Sequence, residues 1–224
     1  MGFSNPSSDL SAVPLFPLPN VVLFPRAVLP LHIFERRYKT MTADVLNGNK
    51  QIAMALLRPG WEKSYYGKPA IEPVVCVGTI LSHEKLPDGT YNFLLQGHTR
   101  ARIVRELRGR DVPYRVAELE KVIQAVIPAA ELRPHRQRMV ELFSKDKLSK
   151  IPLAGQILRI LASDLPTEDV ADLIAFAMFD DTLLKQSLLA EVDVARRVQR
   201  ILAELEGIKP RVRPASDSSQ ASLN

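Results

Sequence analysis

The sequence is poor in the residues that do covalent chemistry. It has one cysteine in 224 residues, Cys76, so no intramolecular disulfide can form. Cys76 sits in the apolar run Val74-Val75-Cys76-Val77, where a thiol without a basic neighbour is a small buried hydrophobe rather than a nucleophile. A reducing compartment suits such a chain, and the expected location is the cytoplasm. Glycine is sparse, and neither Gly-x-Gly-x-x-Gly nor Gly-x4-Gly-Lys-Ser/Thr occurs, so neither phosphate-cradling loop is available; Gly67-Lys68-Pro69 is the nearest fragment. Gly-x-Ser-x-Gly is also missing, which excludes a nucleophile elbow. Four scattered histidines and one cysteine have no metal-ligand spacing, and His83-Glu84-Lys85-Leu86-Pro87 puts Pro87 where a zinc-binding helix needs its second His. No cofactor is called for.

Long hydrophobic runs are absent too. Prolines interrupt every apolar stretch well short of the ~18 residues of a membrane span. The first basic residue is Arg26, so a charged leader is not expected, and Pro6 breaks the myristoylation pattern that opens with Gly2. Charge of one sign is not concentrated. The net charge is +5, with 15 Lys and Arg against 11 Asp and Glu in residues 1–120 and 15 against 14 thereafter. Such a mild excess permits an acidic partner and does not require nucleic acid. The length also leaves no room for both a nucleotide-hydrolysing domain and a second catalytic one.

What is present is 46% hydrophobic residues, enough for a core without disulfides or metals, and 17 prolines. Four segments follow: a flexible N-terminus over 1–12, a β-rich unit over 13–124, a helical unit over 125–207, and a disordered tail over 208–224 rich in Ser and Pro. In the β-rich unit, strands are expected at Val21–Phe24, Ala27–Leu29 (interrupted by Pro30), Gln51–Leu57, Val74–Leu81, Tyr91–Leu95, Ala101–Leu107 and Tyr114–Leu119. Pro87-Asp88-Gly89 marks a hairpin, since Pro87 presets φ and Gly89 accepts a positive one. One helix is inserted over Glu35–Asn47, with Tyr38, Met41, Val45 and Leu46 on one stripe and Gly48 as its C′ residue.

The helical unit reads as Ala129–Ser144, with Pro134 in the first turn of its regular part, then Pro152–Ala162, Thr167–Phe179, Leu183–Ala190 and Val194–Glu206. Thr167 serves as a cap followed by Glu168 and Asp169, and Asp193 caps the last helix before Gly207 closes it. Amphipathic helices on short links bury their stripes on one another.

Chemistry-bearing residues are few. Ser149-Lys150 and Lys63-Ser64 are neighbours in sequence only, and a Ser-Lys dyad is a matter of geometry. Asp180-Asp181 and Glu168-Asp169 fit helix ends. Arg100, Arg102, Arg105, Arg108, Arg110 and Arg115 form a basic run in which Arg100 and Arg102 share one strand face. An RNA reader would interleave aromatics, and Tyr114 is the only one.

Pro14-Leu15-Phe16-Pro17-Leu18-Pro19-Asn20-Val21-Val22-Leu23-Phe24-Pro25, continuing into Leu29-Pro30-Leu31-His32-Ile33-Phe34-Glu35-Arg36-Arg37-Tyr38, resembles the start of the Lon protease N-terminal domain, the LON substrate-binding domain. Val77-Gly78-Thr79-Ile80, Leu86-Pro87-Asp88-Gly89-Thr90, Gly97-x-x-Arg100-x-Arg102-Ile103, Asp172-Leu173-Ile174-Ala175 and Lys185-Gln186-x-Leu188-Leu189-x3-Asp193-Val194 extend the likeness over residues 12–206. The Leu-His-Ile-Phe-Glu-x-Arg-Tyr version is similar to free-standing members. The resemblance implies an α+β fold: a PUA-like β pseudobarrel of about six strands with one inserted helix, then a helical bundle. It implies recognition of unfolded or degron-bearing proteins, with a separate protease or chaperone as a further partner. The ATPase and Ser-Lys protease domains that follow this region in the family have no motif here, so no enzyme activity is expected. The zinc-containing domain of cereblon-type receptors, which share this domain, is missing as well.

The expected binding residues are Phe24, Leu29, Leu31, Phe34 and Tyr38, lining a groove between the β unit and helix 35–47; the plainer alternative makes the same side chains core. A second reading, less favoured, is RNA binding through Arg100, Arg102 and Arg105.

Overall fold

The computed structural model describes residues 9–65, 67–109 and 111–208. Most of the expected loose N-terminus, Arg110 of the basic run, and the expected disordered tail beyond Ile208 lie outside the described residues. The strands are β1 (Val13–Leu18), β2 (Val28–Ile33), β3 (Gln51–Leu56), β4 (Val74–Lys85), β5 (Tyr91–Glu106) and β6 (Arg115–Lys121). The helices are α1 (Arg36–Leu46), inserted between β2 and β3, then α2 (Ala129–Ser144), α3 (Ala154–Leu161), α4 (Thr167–Met178), α5 (Thr182–Ala190) and α6 (Val194–Gly207). The fold is α+β as expected.

Strand order is β2-β5-β4-β3-β1-β6, and β6 pairs back onto β5, so the mixed sheet curls into a pseudobarrel with β2 left outside the ring. β1 runs parallel to β3, and the other pairings are antiparallel. So few strands enclose a narrow interior, and small side chains fill it: Val13, Leu15, Ala53, Ala55, Val75, Val77, Ala101, Ala117 and Leu119 form one buried cluster. The alternate residues, including Ile52, Met54, Leu56, Val74 and Cys76, face outward and join a second cluster that continues into the helices. All six residues of β3 are therefore buried, which is why Gln51–Leu56 reads as an unbroken run rather than an alternation.

Prolines account for most departures from expectation. Val21–Phe24 is not a strand but a buried loop. It presses so closely on β5 that a Cβ on Gly97 would lie 2.2 Å from the Phe24 carbonyl oxygen. Arg26, at φ 65°, donates its backbone N–H to the Gly97 carbonyl at 2.7 Å, and Gly97 donates to Ala27 at 2.9 Å. The strand that sequence reading overlooks is β1, which contains Pro14 and Pro17; β6 pairs with it only as far as Leu15. β2 tolerates Pro30 because β5 is its sole neighbour. The expected strands Tyr91–Leu95 and Ala101–Leu107 are one 16-residue strand, β5, bent by bulges where His98 and Val104 have no partner.

The Pro87–Gly89 hairpin forms as expected, with Gly89 at φ 77° and the Asp88 carboxylate accepting from the Thr90 amide and hydroxyl. After α1, the left-handed residue is Lys50 at φ 59° and not Gly48, and Lys50 returns its amide to the Val45 carbonyl. Pro166, not Thr167, is the cap residue of α4, without a side-chain cap bond, and Pro134 lies inside α2 rather than in its first turn. Asp193 caps α6 through the Arg196 amide as expected, and Asp181 caps α5 in the same way. Leu10, assigned to the flexible end, is held: its carbonyl accepts from the Leu119 amide at 2.8 Å.

A buried charge cluster joins pseudobarrel to bundle. Asp172 of α4 receives Nη2 of Arg100 from β5 at 2.7 Å, and Nε of Arg197 from α6 approaches its other oxygen to 3.1 Å. The second contact is an ion pair without hydrogen-bond alignment. The spare guanidinium donors reach carbonyls at the end of α5: Arg100 Nε to Leu189 at 3.1 Å and Arg197 Nη1 to Glu191 at 2.8 Å. Gln186 of α5 adds a bond to the Val74 carbonyl. Burial pulls the Arg197 pKa below its usual value, with Asp172 opposing that shift.

Removing one partner of a buried pair strands the remaining charge. Asp172→Ala is therefore expected to lower unfolding free energy by about 3–5 kcal/mol in urea titration, whereas Arg105→Ala, which breaks the exposed pair with Glu118, changes it by less than about 1 kcal/mol. Burial pushes the Cys76 thiol up to about 12. Native protein is expected to resist iodoacetamide at pH 8 and to be alkylated at Cys76 only after denaturation, read by mass spectrometry.

Candidate functional site

The residues expected to line a binding groove are split by the fold. Phe24 has no exposure and Tyr38 only 4%, and both belong to the core. Phe24 lies beneath Arg100, whose guanidinium carbon is 5.9 Å from the ring centroid; Tyr38 packs on Phe16 with ring centroids 4.5 Å apart. In the expected groove between the β unit and α1, these contacts put the Phe24 and Tyr38 rings in the core, and a cavity lined in part by Pro17, Arg37 and Tyr38 remains beside β1 and α1. Leu29 and Leu31 are half-buried, and Phe34 is 65% exposed. The structure thus buries Phe24 and Tyr38, packs Leu29 and Leu31 against the core, and leaves Phe34 on the solvent side of the sheet.

That side is the outer end of β2, β5 and β4. Side chains alternate along each strand, and cross-strand pairing places Pro30 beside Leu94 beside Ser82, and His32 beside Asn92 beside Glu84. Val28, Pro30, His32 and Phe34 follow one another along the solvent face of β2. Leu94 is 39% exposed, and Leu81, extruded where the register slips between Ile80 and Ser82, is exposed as well. A shallow cavity of about 440 Å³ runs across this face, lined by Pro30, Leu31, His32, Ser82, His83, Glu84, Asn92, Phe93 and Leu94. His32 Nδ1–H donates to Asn92 Oδ1 at 2.7 Å, and its ring stacks with Phe34 at 6.1 Å between centroids. The face is apolar at its centre, with His32, Asn92 and the carboxylate of Glu84 along one side, the make-up of an interaction surface. Exposed apolar side chains grouped in this way differ from the single ones that any surface carries.

Leu94 was legible in part: Tyr91-Asn92-Phe93-Leu94-Leu95 has apolar residues on both strand faces, so one must point outward. The charge cluster was legible in the same sense. Asp172 and Arg197 each interrupt the apolar stripe of their helix, beside Ala171 and Val198.

The fold divides the basic run. Arg100 is 5% exposed and committed to Asp172 and Leu189. Arg102 does share its strand face, but it lies beyond the cover of the bundle and opposite Glu120. Arg105 pairs with Glu118 at 2.7 Å, and Arg115 pairs with Glu106. Acids of the same β5–β6 ladder therefore answer Arg105 and Arg115. Among the described residues, no three or more His, Cys, Asp or Glu side chains converge as metal ligands, and no helix is long and apolar enough to cross a membrane.

The same arrangement of strands and helices occurs in known proteins. The N-terminal domain of Mycobacterium avium complex Lon protease superposes with a TM-score of 0.68 at 16% identity, over 88% of this chain and 98% of that one. A Lon N-terminal domain protein from Xanthomonas campestris gives 0.63 at 25% identity, over 86% and 98%. Among full sequences, the Lon protease of Dictyoglomus thermophilum is 28% identical over 88% of this chain and 24% of its own length, and that of Azospirillum brasilense is 30% identical over 92% and 25%. The chain therefore spans about a quarter of the length of these relatives. The family model for the substrate-binding domain of the ATP-dependent protease La (LON) matches residues 12–207. That match takes in all of the strands and helices described above, and by it the chain belongs to the LON substrate-binding domain family.

Proposed function

We propose that this chain is a non-catalytic recognition module that binds exposed or unfolded polypeptide segments through the outer face of β2, β5 and β4. The observation that carries the reading is the grouping of Val28, Pro30, Phe34, Leu81 and Leu94 on a sheet face whose other side is core. An apolar face of this kind recognises side chains that folded clients hide. Its shallowness suits varied sequences over a single ligand. Each anchor buried against it contributes roughly 1.5–3 kcal/mol, so a few anchors give weak, reversible binding. The family description, a substrate-binding domain of an ATP-dependent protease, supports the same direction. In this reading the further partner is a separate protease or a chaperone, and the working place is the cytoplasm.

The test is light scattering and fluorescence anisotropy with a chemically denatured, labelled client protein. Wild-type protein is expected to suppress aggregation of the client, and Phe34→Ser combined with Leu94→Asp to weaken binding about tenfold or more while leaving the thermal transition nearly unchanged. Client binding no stronger than that of an inert control protein, or a double variant that binds as well as wild type, overturns the reading.

A further inference from the structure

Each strand of the sheet has neighbours on both sides except β2, which pairs with β5 alone. The pairing fixes which way the backbone of β2 points. The Gly97 amide of β5 donates to the Ala27 carbonyl at 2.9 Å, so that carbonyl faces β5. By the two-residue period of a strand, the backbone groups of Leu29, Leu31 and Ile33 face β5 as well. Those of Val28, Pro30 and His32 then face away from the sheet. Pro30 fits this phase, because it has no N–H to give to a ladder. The outer edge of β2 therefore presents the carbonyls of Val28, Pro30 and His32 and the amides of Val28 and His32. Among the described residues none of these groups has a hydrogen-bond partner. The sheet has a second open edge, since β3 pairs with β4 only as far as Thr79. That end of β4 exposes Glu84 and Lys85, and charge at an edge keeps other strands away. Val28–Ile33 holds no Asp, Glu, Lys or Arg, and the shallow cavity of the apolar face reaches it at Pro30, Leu31 and His32.

We propose that a client segment binds in extended form as an added strand on the outer edge of β2, with alternate side chains on the apolar face beside Val28, Pro30 and His32. The inference rests on the polypeptide-binding reading above and names how that site holds its client. Unpaired amides and carbonyls in a row are complementary to an extended main chain, which an unfolded polypeptide offers whatever its sequence. Main-chain bonds supply affinity, and the side-chain positions add a preference for apolar residues at every second place. The size of the edge favours a segment over a folded partner. Its six residues span about 20 Å, too short to bury the ~1,200–2,000 Å² of a stable protein–protein interface. Pro30 favours a client over a second copy of this chain. A client strand loses one ladder bond, for the donor that Pro30 lacks. Two copies paired edge to edge lose two, since each brings its own Pro30. The proline thus restrains self-pairing and leaves the edge open to clients.

The test is a labelled peptide of alternating Val and Thr, titrated by fluorescence anisotropy against the full chain. Two N-methylated forms are compared with it, one modified at the Val residues and one at the Thr residues. On a single edge, one set of amides faces β2 and the other faces solvent. One modified form is therefore expected to bind about tenfold or more weakly, and the other within about twofold of the parent. An equal effect of the two modifications, whether loss or none, overturns the inference. Pro30→Val supplies the missing donor and is expected to tighten binding about threefold to tenfold, a gain that misfolding cannot imitate. Unchanged or weaker peptide binding by Pro30→Val also overturns the inference, and dimerisation of that variant in sedimentation analysis then assigns the edge to a second copy. If the two modified forms bind alike while the Phe34→Ser, Leu94→Asp variant still weakens binding of the parent peptide, the polypeptide-binding reading stands without the inference; if no form binds, both fall.

Discussion

Asp172 is the point on which the two halves of this molecule are set against each other. Its carboxylate lies between a guanidinium from β5 and one from α6, and it is itself carried by α4. Two arginines on one buried acid leave an excess positive charge, so the carbonyls of Leu189 and Glu191 at the end of α5 become part of the site. A hydrophobic contact would tolerate sliding of the bundle over the sheet. A hydrogen bond from β5 and an ion pair from α6 on one carboxylate of α4 do not, because any shift leaves a desolvated charge without its partner. The nearby Arg26–Asp169 pair ties the proline-stiffened loop 19–27 to the same helix, and Gly97 lets that loop sit directly on β5.

The placement of the bundle decides which parts of the sheet meet solvent. Helices cover the outward face of β3 and of neighbouring stretches of β4 and β5, where Ile52, Met54, Cys76 and Arg100 are buried. The far ends of β4 and β5, together with β2, extend past that cover. There the residues of one side remain core while those of the other are free, and the apolar ones among them form the candidate recognition face. The cavity beside β1 and α1 is placed differently, by the way β5 passes into β6 over α1. The braces Arg115–Glu106 and Arg37–Glu35 hold its wall.

The strand and helix order, the hairpin at Asp88-Gly89 and the stripes of α1, α2 and α6 were legible because each depends on neighbours a few positions away. Val21–Phe24 and Val13–Leu18 were misread for the opposite reason. Both contain or adjoin prolines, and whether a proline is tolerated depends on which backbone groups the adjoining strand needs, a long-range matter. The candidate binding residues fared unevenly on the same ground. Phe34 and Phe24 are alike in composition and local setting, yet one is exposed and the other lies under Arg100.

By itself, then, the sequence determined the fold class, the absence of phosphate-cradling loops and of a nucleophile elbow, the family likeness and most element positions, since periodicity, turn chemistry and motif spacing are local properties of the chain. Only the tertiary structure decided that Arg100 is a buried anchor and Arg102 a surface residue, although the two share a strand face. The same holds for the apolar face, which gathers residues from three strands separated in sequence, and for the open edge of β2. Burial and charge pairing are set by what packs against a residue, and that neighbour lies 72 positions from Arg100 in the chain.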